Sequence, residues 1–187
     1  KAVDMYTVAL GGDSRITVED STFKIGPERV IPLCLLAEKC PEVVDKMTLT
    51  DVYDYYEMTS EFDGKGLTDK EKRVLDAMKG KGPMSKMEII DAVTGLWVIE
   101  DELASLVKKG ALLLSSLTPT DIMVYYGDFK LGSEAGSRAG VHAVAEKCGM
   151  TEKQAARAVF DEIKTKVAQA VMTKMLDDQM MKWQGEG

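Results

Sequence analysis

The sequence predicts a mixed α and β fold that is rich in helix, and three observations carry the prediction. Tyr, Thr, Val and Ile alternate with polar residues near the start of the chain. Helix starts of the Ser/Thr-x-x-Glu/Gln kind recur from the middle onward. Apolar residues then return at three- to five-residue spacing over the C-terminal stretch, from Ala156 through Phe160, Ile163, Val167, Val171 and Met175 to Met180.

Taken in order, residues 5–10 read as a strand that runs into Gly11-Gly12-Asp13-Ser14, a sharp turn with permissive backbone. Short strands continue over 16–18 and 22–25, and Gly26-Pro27 is expected to stop them. The apolar run over 30–40 predicts a buried helix opening at Pro32. A short helix or strand around 52–56 precedes Asp63-Gly64-Lys65-Gly66, a polar joint that sets a boundary at Gly66. Thr68 with Glu71 and Ser85 with Glu88 then form capping boxes for two helices, and a third runs over 99–109 to Gly110. A strand over 111–115 follows, which completes the outline of a winged-helix-like insert over residues 67–116. Thr118-Pro119-Thr120-Asp121 starts another helix, ending at Gly127. Residues 133–147 form a small-residue helix in which Gly136 and Gly140 allow close approach of a neighbour, with Gly149 closing it. Thr151 with Gln154 caps the last helix, of about 30 residues and ~45 Å. The predicted units are residues 1–66, 67–116 and 117–187.

The 187 residues, 45% hydrophobic and 29% charged, suit one large or two small globular units. A net charge of −7 repels nucleic acid and argues against a DNA-binding role for the helical insert, whose third helix opens on Glu100, Asp101 and Glu102. Three cysteines without a CxxC pair predict reduced thiols and a cytoplasmic protein, and no apolar run reaches the length of a membrane span. The start at Lys1, so close to a strand, implies sequence upstream. The single histidine, His142, excludes a multi-histidine metal site and reads as structural in mid-helix, as does Cys148.

Three ordered blocks carry a family resemblance. The run from Val3 through Met5-Tyr6-Thr7-Val8-Ala9-Leu10-Gly11-Gly12-Asp13-Ser14-Arg15-Ile16, the block Ile25-Gly26-Pro27-Glu28-Arg29-Val30-Ile31-Pro32-Leu33-Cys34, and Leu117-Thr118-Pro119-Thr120-Asp121 together resemble the C-terminal portion of the hydantoinase A/oxoprolinase (N-methylhydantoinase) family. The resemblance spans Lys1 to about Met180, with the helical insert similar in outline more than in residues. It implies a partial actin/Hsp70-like ATPase lobe and ATP-driven opening of a cyclic amide such as hydantoin or 5-oxoproline. ATP and Mg²⁺ are the implied cofactors, and a second hydantoinase-type subunit or a homo-oligomer the implied partners. The glycine-rich phosphate hairpins of that family are expected upstream of Lys1, so the chain alone is expected to be inactive.

Gly11, Gly12, Asp13 and Ser14 fit half of a nucleotide site, because slim backbone approaches a phosphate or ribose closely and Asp13 can hold a hydroxyl or a metal-bound water. A tight turn is the bland alternative. Arg15 and Arg29 fit an anion site or structural pairing with Asp13 or Glu28. Asp121 fits the site wall or a helix cap. No catalytic base is legible. A non-catalytic interaction module is the second reading of the chain, with Met172, Met175, Met180 and Met181 as an adaptable partner surface.

Overall fold

The computed structural model describes residues 10–184, with side chains of the last helix up to residue 175. The described residues are mixed α and β and helix-rich, with two small sheets among them. The strand expected over residues 5–10 lies outside the described residues, except for Leu10. Strands β1 (Ser14–Glu19) and β2 (Thr22–Arg29) form an antiparallel hairpin closed at Asp20 and Ser21, both with positive φ, as a two-residue turn matched to strand twist requires. Gly26-Pro27 does not end the second strand. Ile16 pairs with Ile25 and Ser14 with Arg29, so β2 carries extra residues that bulge out between these pairs. Gly26 supplies the positive φ of 64° there, and Pro27, which has no N–H to donate, is tolerated inside the bulge.

Strand β3 (Ile31–Pro32) leads straight into α1 (Leu33–Lys39), and Pro32 is its N-cap residue. Helix α2 (Glu42–Thr50) occupies part of the segment for which no definite element was expected. Strand β4 (Tyr55–Met58) is followed by α3 (Asp69–Met78), α4 (Lys86–Ala92) and α5 (Glu100–Lys108). Both predicted capping boxes are formed: Thr68 and Glu71 exchange bonds at α3, Ser85 and Glu88 at α4. Strand β5 (Leu112–Ser116) pairs parallel with β3 and antiparallel with β4. Helices α6 (Pro119–Tyr126), α7 (Glu134–Cys148) and α8 (Glu152–Gln184) are the last of the described elements. The start of α8 has the predicted cap, Gln154 N donating to Thr151 Oγ1 and Thr151 N to Gln154 Oε1.

Two hydrophobic cores result. The larger gathers Ile16 and Ile25 of the hairpin, Leu33 and Leu36 of α1, Met47 of α2, Ile122 of α6, Val144 of α7 and Val159 of α8. The smaller gathers Val74, Ile89, Leu103 and Leu106 of α3–α5 around Leu112. Tyr56, Met58, Phe62 and Leu67 pack against that smaller core, so β4 shares it with the helices. Lys166 Nζ reaches from α8 to the carbonyl of Ile25, strapping the hairpin to the helix at 2.6 Å.

Close approach of α7 to α1 depends on glycine. An added Cβ at Gly136 would stand 2.4 Å from Ala37 Cβ, and one at Gly140 would stand 2.4 Å from Leu33 Cδ1. Gly136→Val is therefore expected to destabilise the protein by roughly 1–3 kcal/mol through overpacking, read as a lower urea midpoint with unchanged slope.

The smaller core contains one buried carboxylate. Glu71 accepts from Ser105 Oγ (2.6 Å) and Lys109 Nζ (2.7 Å) as well as capping α3. Bonds from Lys109, Ser105 and the Thr68 N–H hold its pKa down at about 2, against an ordinary value of 4.5. A depressed pKa means that the charged form stabilises the fold above pH 4.5 and that this stabilisation is lost as pH falls toward about 2. The stability gap between wild type and Glu71→Gln should be largest at neutral pH and shrink through that window, as urea titrations at stepped pH would show.

Candidate functional site

The three sequence blocks that carry the family resemblance meet in space. The carbonyl of Gly12 accepts from the backbone N–H of Thr120 (3.0 Å) and from its hydroxyl (2.8 Å). The carbonyl of Asp13 accepts from Val30 N (2.9 Å), and that of Leu117 accepts from Ile16 N (2.8 Å). The loop before β1, the end of β2 and the start of α6 are thereby one junction, placed where the parallel strands β3 and β5 each run into a helix.

Asp121 fastens this junction from inside. Its carboxylate accepts from Leu33 N (3.1 Å) and Cys34 N (2.8 Å) at the start of α1, from Thr118 N (3.0 Å) and Thr118 Oγ1 (2.8 Å) at the cap of α6, and from Ser137 Oγ (3.1 Å) on α7. Burial pushes its pKa up, and the bonds from Cys34, Thr118 and Leu33 oppose the shift. The side chain is fully buried, which removes it from any ligand-facing wall: of its two sequence readings, the helix cap describes its place.

The remaining candidates divide between two places. Gly11 N donates to Ser14 Oγ (2.8 Å) and Ser14 N to the Gly11 carbonyl (3.1 Å), closing a tight turn with Ser14 buried. Neither glycine spares room for a side chain: an added Cβ would lie 2.8 Å from Asp13 Oδ1 at Gly11 and 2.8 Å from Thr120 Oγ1 at Gly12. Gly12 is exposed at the tip, and Asp13 beside it faces Arg29 Nε at 3.5 Å. This edge, made of Gly11, Gly12 and Asp13, is the part of the predicted nucleotide site that a ligand can reach. Arg15 points elsewhere. Its guanidinium spans Glu28 (2.6 Å) and Asp54 (2.6 Å).

Arg15 lines a cleft of about 410 Å³ between the hairpin and the α4–α5 pair. Burial works against its charge, yet Asp54 and Glu28 outweigh that and raise its pKa. Leu103 and Val107 of α5 and Leu114 of β5 give the cleft an apolar side, with Lys86 and Glu100 paired at 2.7 Å on its rim. Burial pushes the Tyr56 phenol up to about 12. Sequence reasoning missed Asp54, Tyr56, Lys86 and Lys147 here; an acid inside the aromatic run Tyr53-Asp54-Tyr55-Tyr56 was the available signal.

Burial and the neighbouring Asp121 push the Cys34 thiol up to about 12, and burial also raises Cys40 and Cys148, so none is an activated thiolate. His142 Nδ1 lies 3.3 Å from Glu152 Oε1, joining α7 to α8. No group of three metal-ligating side chains occurs among the described residues, and no described helix is long and apolar enough to cross a membrane.

No family model matches the chain, and no curated protein or solved structure does either.

Replacing Asp121 with Ala leaves five buried donors without their acceptor. A loss of at least ~3 kcal/mol is expected in chemical denaturation, with Asp121→Asn recovering part of it because the amide oxygen still accepts.

Proposed function

We propose that this chain is part of an ATP-dependent cyclic-amide hydrolase of the hydantoinase A/oxoprolinase type, contributing one lobe of an actin/Hsp70-like nucleotide site. The observation that carries the reading is the convergence of the three family-like blocks at one junction, with Gly12 bonded to Thr120 across 108 positions of sequence. The location is favourable as well, since ligands of open α/β sheets bind beyond the carboxyl ends of parallel strands, and β3 and β5 both end here.

The residues present fit a nucleotide in part. Gly11 and Gly12 keep the edge slim, and Asp13 is half-exposed, able to accept from a ribose hydroxyl or a water on Mg²⁺. One carboxylate suffices for that ion when phosphates and water supply the rest of its shell. Arg29, largely exposed, can swing between Asp13 and a phosphate. ATP, when bound, supplies the phosphoryl group that activates the amide oxygen toward water. On this reading the family's phosphate hairpins, and the base that directs the water, are supplied by residues other than those of this chain. Hydantoin, N-methylhydantoin or 5-oxoproline is the substrate class, and the cytoplasm the expected compartment.

A second reading, the interaction module, draws on α8. Val167, Val171 and Met175 recur at four-residue spacing on that helix and are about half-exposed, as a partner-binding stripe would be.

Calorimetric titration of Mg²⁺·ATP into the full-length gene product and into the 187-residue chain tests the first reading. Binding to the full-length product is expected, weakened about tenfold or more by Asp13→Ala. Silence from the full-length protein would reject the ATPase lobe in favour of the interaction module.

A further inference from the structure

We propose that the cleft between the β1–β2 hairpin and the α4–α5 pair is a second binding site, for a small zwitterion with an apolar side chain, of the α-amino acid class. The proposal is independent of the nucleotide edge at Gly11–Asp13, because Arg15 is the one candidate from that motif whose side chain turns into the cleft.

Size comes first. About 410 Å³ lies within the range of pockets that enclose a small ligand. Shape and polarity come next. Leu103 and Val107 of α5 with Leu114 of β5 offer an apolar surface, suited to an aliphatic side chain. On the other side, Arg15 is shared by two carboxylates, Glu28 and Asp54, which leaves one negative charge in excess. Lys147, also lining the cleft, holds its ammonium 4.6 Å from the centre of the Tyr53 ring and has no carboxylate at ion-pair distance among the described residues. Lys86 and Glu100 cancel each other across the rim. The cleft is thus neutral in sum but carries one separated negative and one separated positive charge.

Hydrogen bonding points the same way. Two of the buried side-chain atoms without a partner belong to this wall: Arg15 Nε, a donor, and Asp54 Oδ1, an acceptor. Orphaned buried groups of this kind call for a water or a ligand to complete them. A group that both donates and accepts answers both. An ammonium beside a carboxylate does so while also matching the two separated charges, whereas a simple carboxylate leaves Asp54 unanswered and a simple amine leaves Lys147 unanswered.

The probe is L-leucine, titrated into the 187-residue chain beside isocaproate, isoamylamine and isocaproamide, with amide shifts of cleft residues followed by NMR. Leucine is expected to bind saturably, and each relative, lacking one or both charges, about tenfold or more weaker. Lys147→Met should weaken leucine about tenfold and leave isoamylamine unchanged. Ala104 lines the cleft from an exposed position on α5, so Ala104→Phe should fill the space and abolish leucine binding at an unchanged melting temperature. Absence of saturable leucine binding by the folded chain would overturn the proposal, as would binding that survives both substitutions. Equal affinity for isocaproate or isocaproamide would overturn the zwitterion class. None of these outcomes depends on whether Mg²⁺·ATP binds.

Discussion

Everything around the Gly11–Asp13 edge hangs from the buried carboxylate of Asp121. The first turn of α1 and the cap residue of α6 both direct N–H groups at it, so one carboxylate near the N-termini ties the starts of two helices together. Taking a carboxylate out of water is costly, and only a full set of donors offsets that cost. Here the set is supplied by three backbone N–H groups and the hydroxyls of Thr118 and Ser137. With α1 and α6 fixed this way, the ends of β3 and β5 are fixed too, and Thr120 is held where its N–H and hydroxyl donate to the Gly12 carbonyl. The glycine-rich turn owes its position to a residue that no ligand can touch.

The two cores stand in a different relation. They meet along β4 and β5, and the cleft lies at their seam, lined from the larger core's side by the Arg15 cluster and from the smaller by α4 and α5. Lys46 of α2 bridges them by bonding Glu88 (2.8 Å) and the carbonyl of Pro83 (3.3 Å). The pairing lowers the pKa of Glu88 in spite of burial, its largest single influence, which acts in the opposite direction.

Helices with local signals were legible in the sequence. The caps at Thr68, Ser85, Thr118 and Thr151 depend on residues three apart, and all four form as expected. Gly136 and Gly140 likewise declared a close helix contact. Helix α2 was missed because Val43 and Val44 are β-branched and its entry, Pro41, bears no side-chain cap, leaving only the acids of its first turn as a sign. Strand β2 was cut short because Gly-Pro is a turn signal that a bulge can absorb. At the site, the turn at Gly11–Ser14 was readable locally, and so was pairing of Arg15 and Arg29 with a nearby acid such as Asp13 or Glu28, though which arginine takes which acid, and the share of Asp54, came only from the fold. The role of Asp121 as a hub was not readable, since its partners Leu33 and Cys34 lie almost 90 positions away. Such convergence is a property of packing, and no window of sequence contains it.

The pairing of β4 with β5 carries a topological consequence. Met58 lies opposite Leu112, and Thr59 N donates to the Ala111 carbonyl, so the chain departs and returns at neighbouring points on adjacent strands. The helices α3–α5 are, in that sense, the overgrown loop of an ordinary β-hairpin. A module attached through two adjacent strand ends leaves the threading of the sheet unchanged, because both of its joints fall at one end of a single β4–β5 pair.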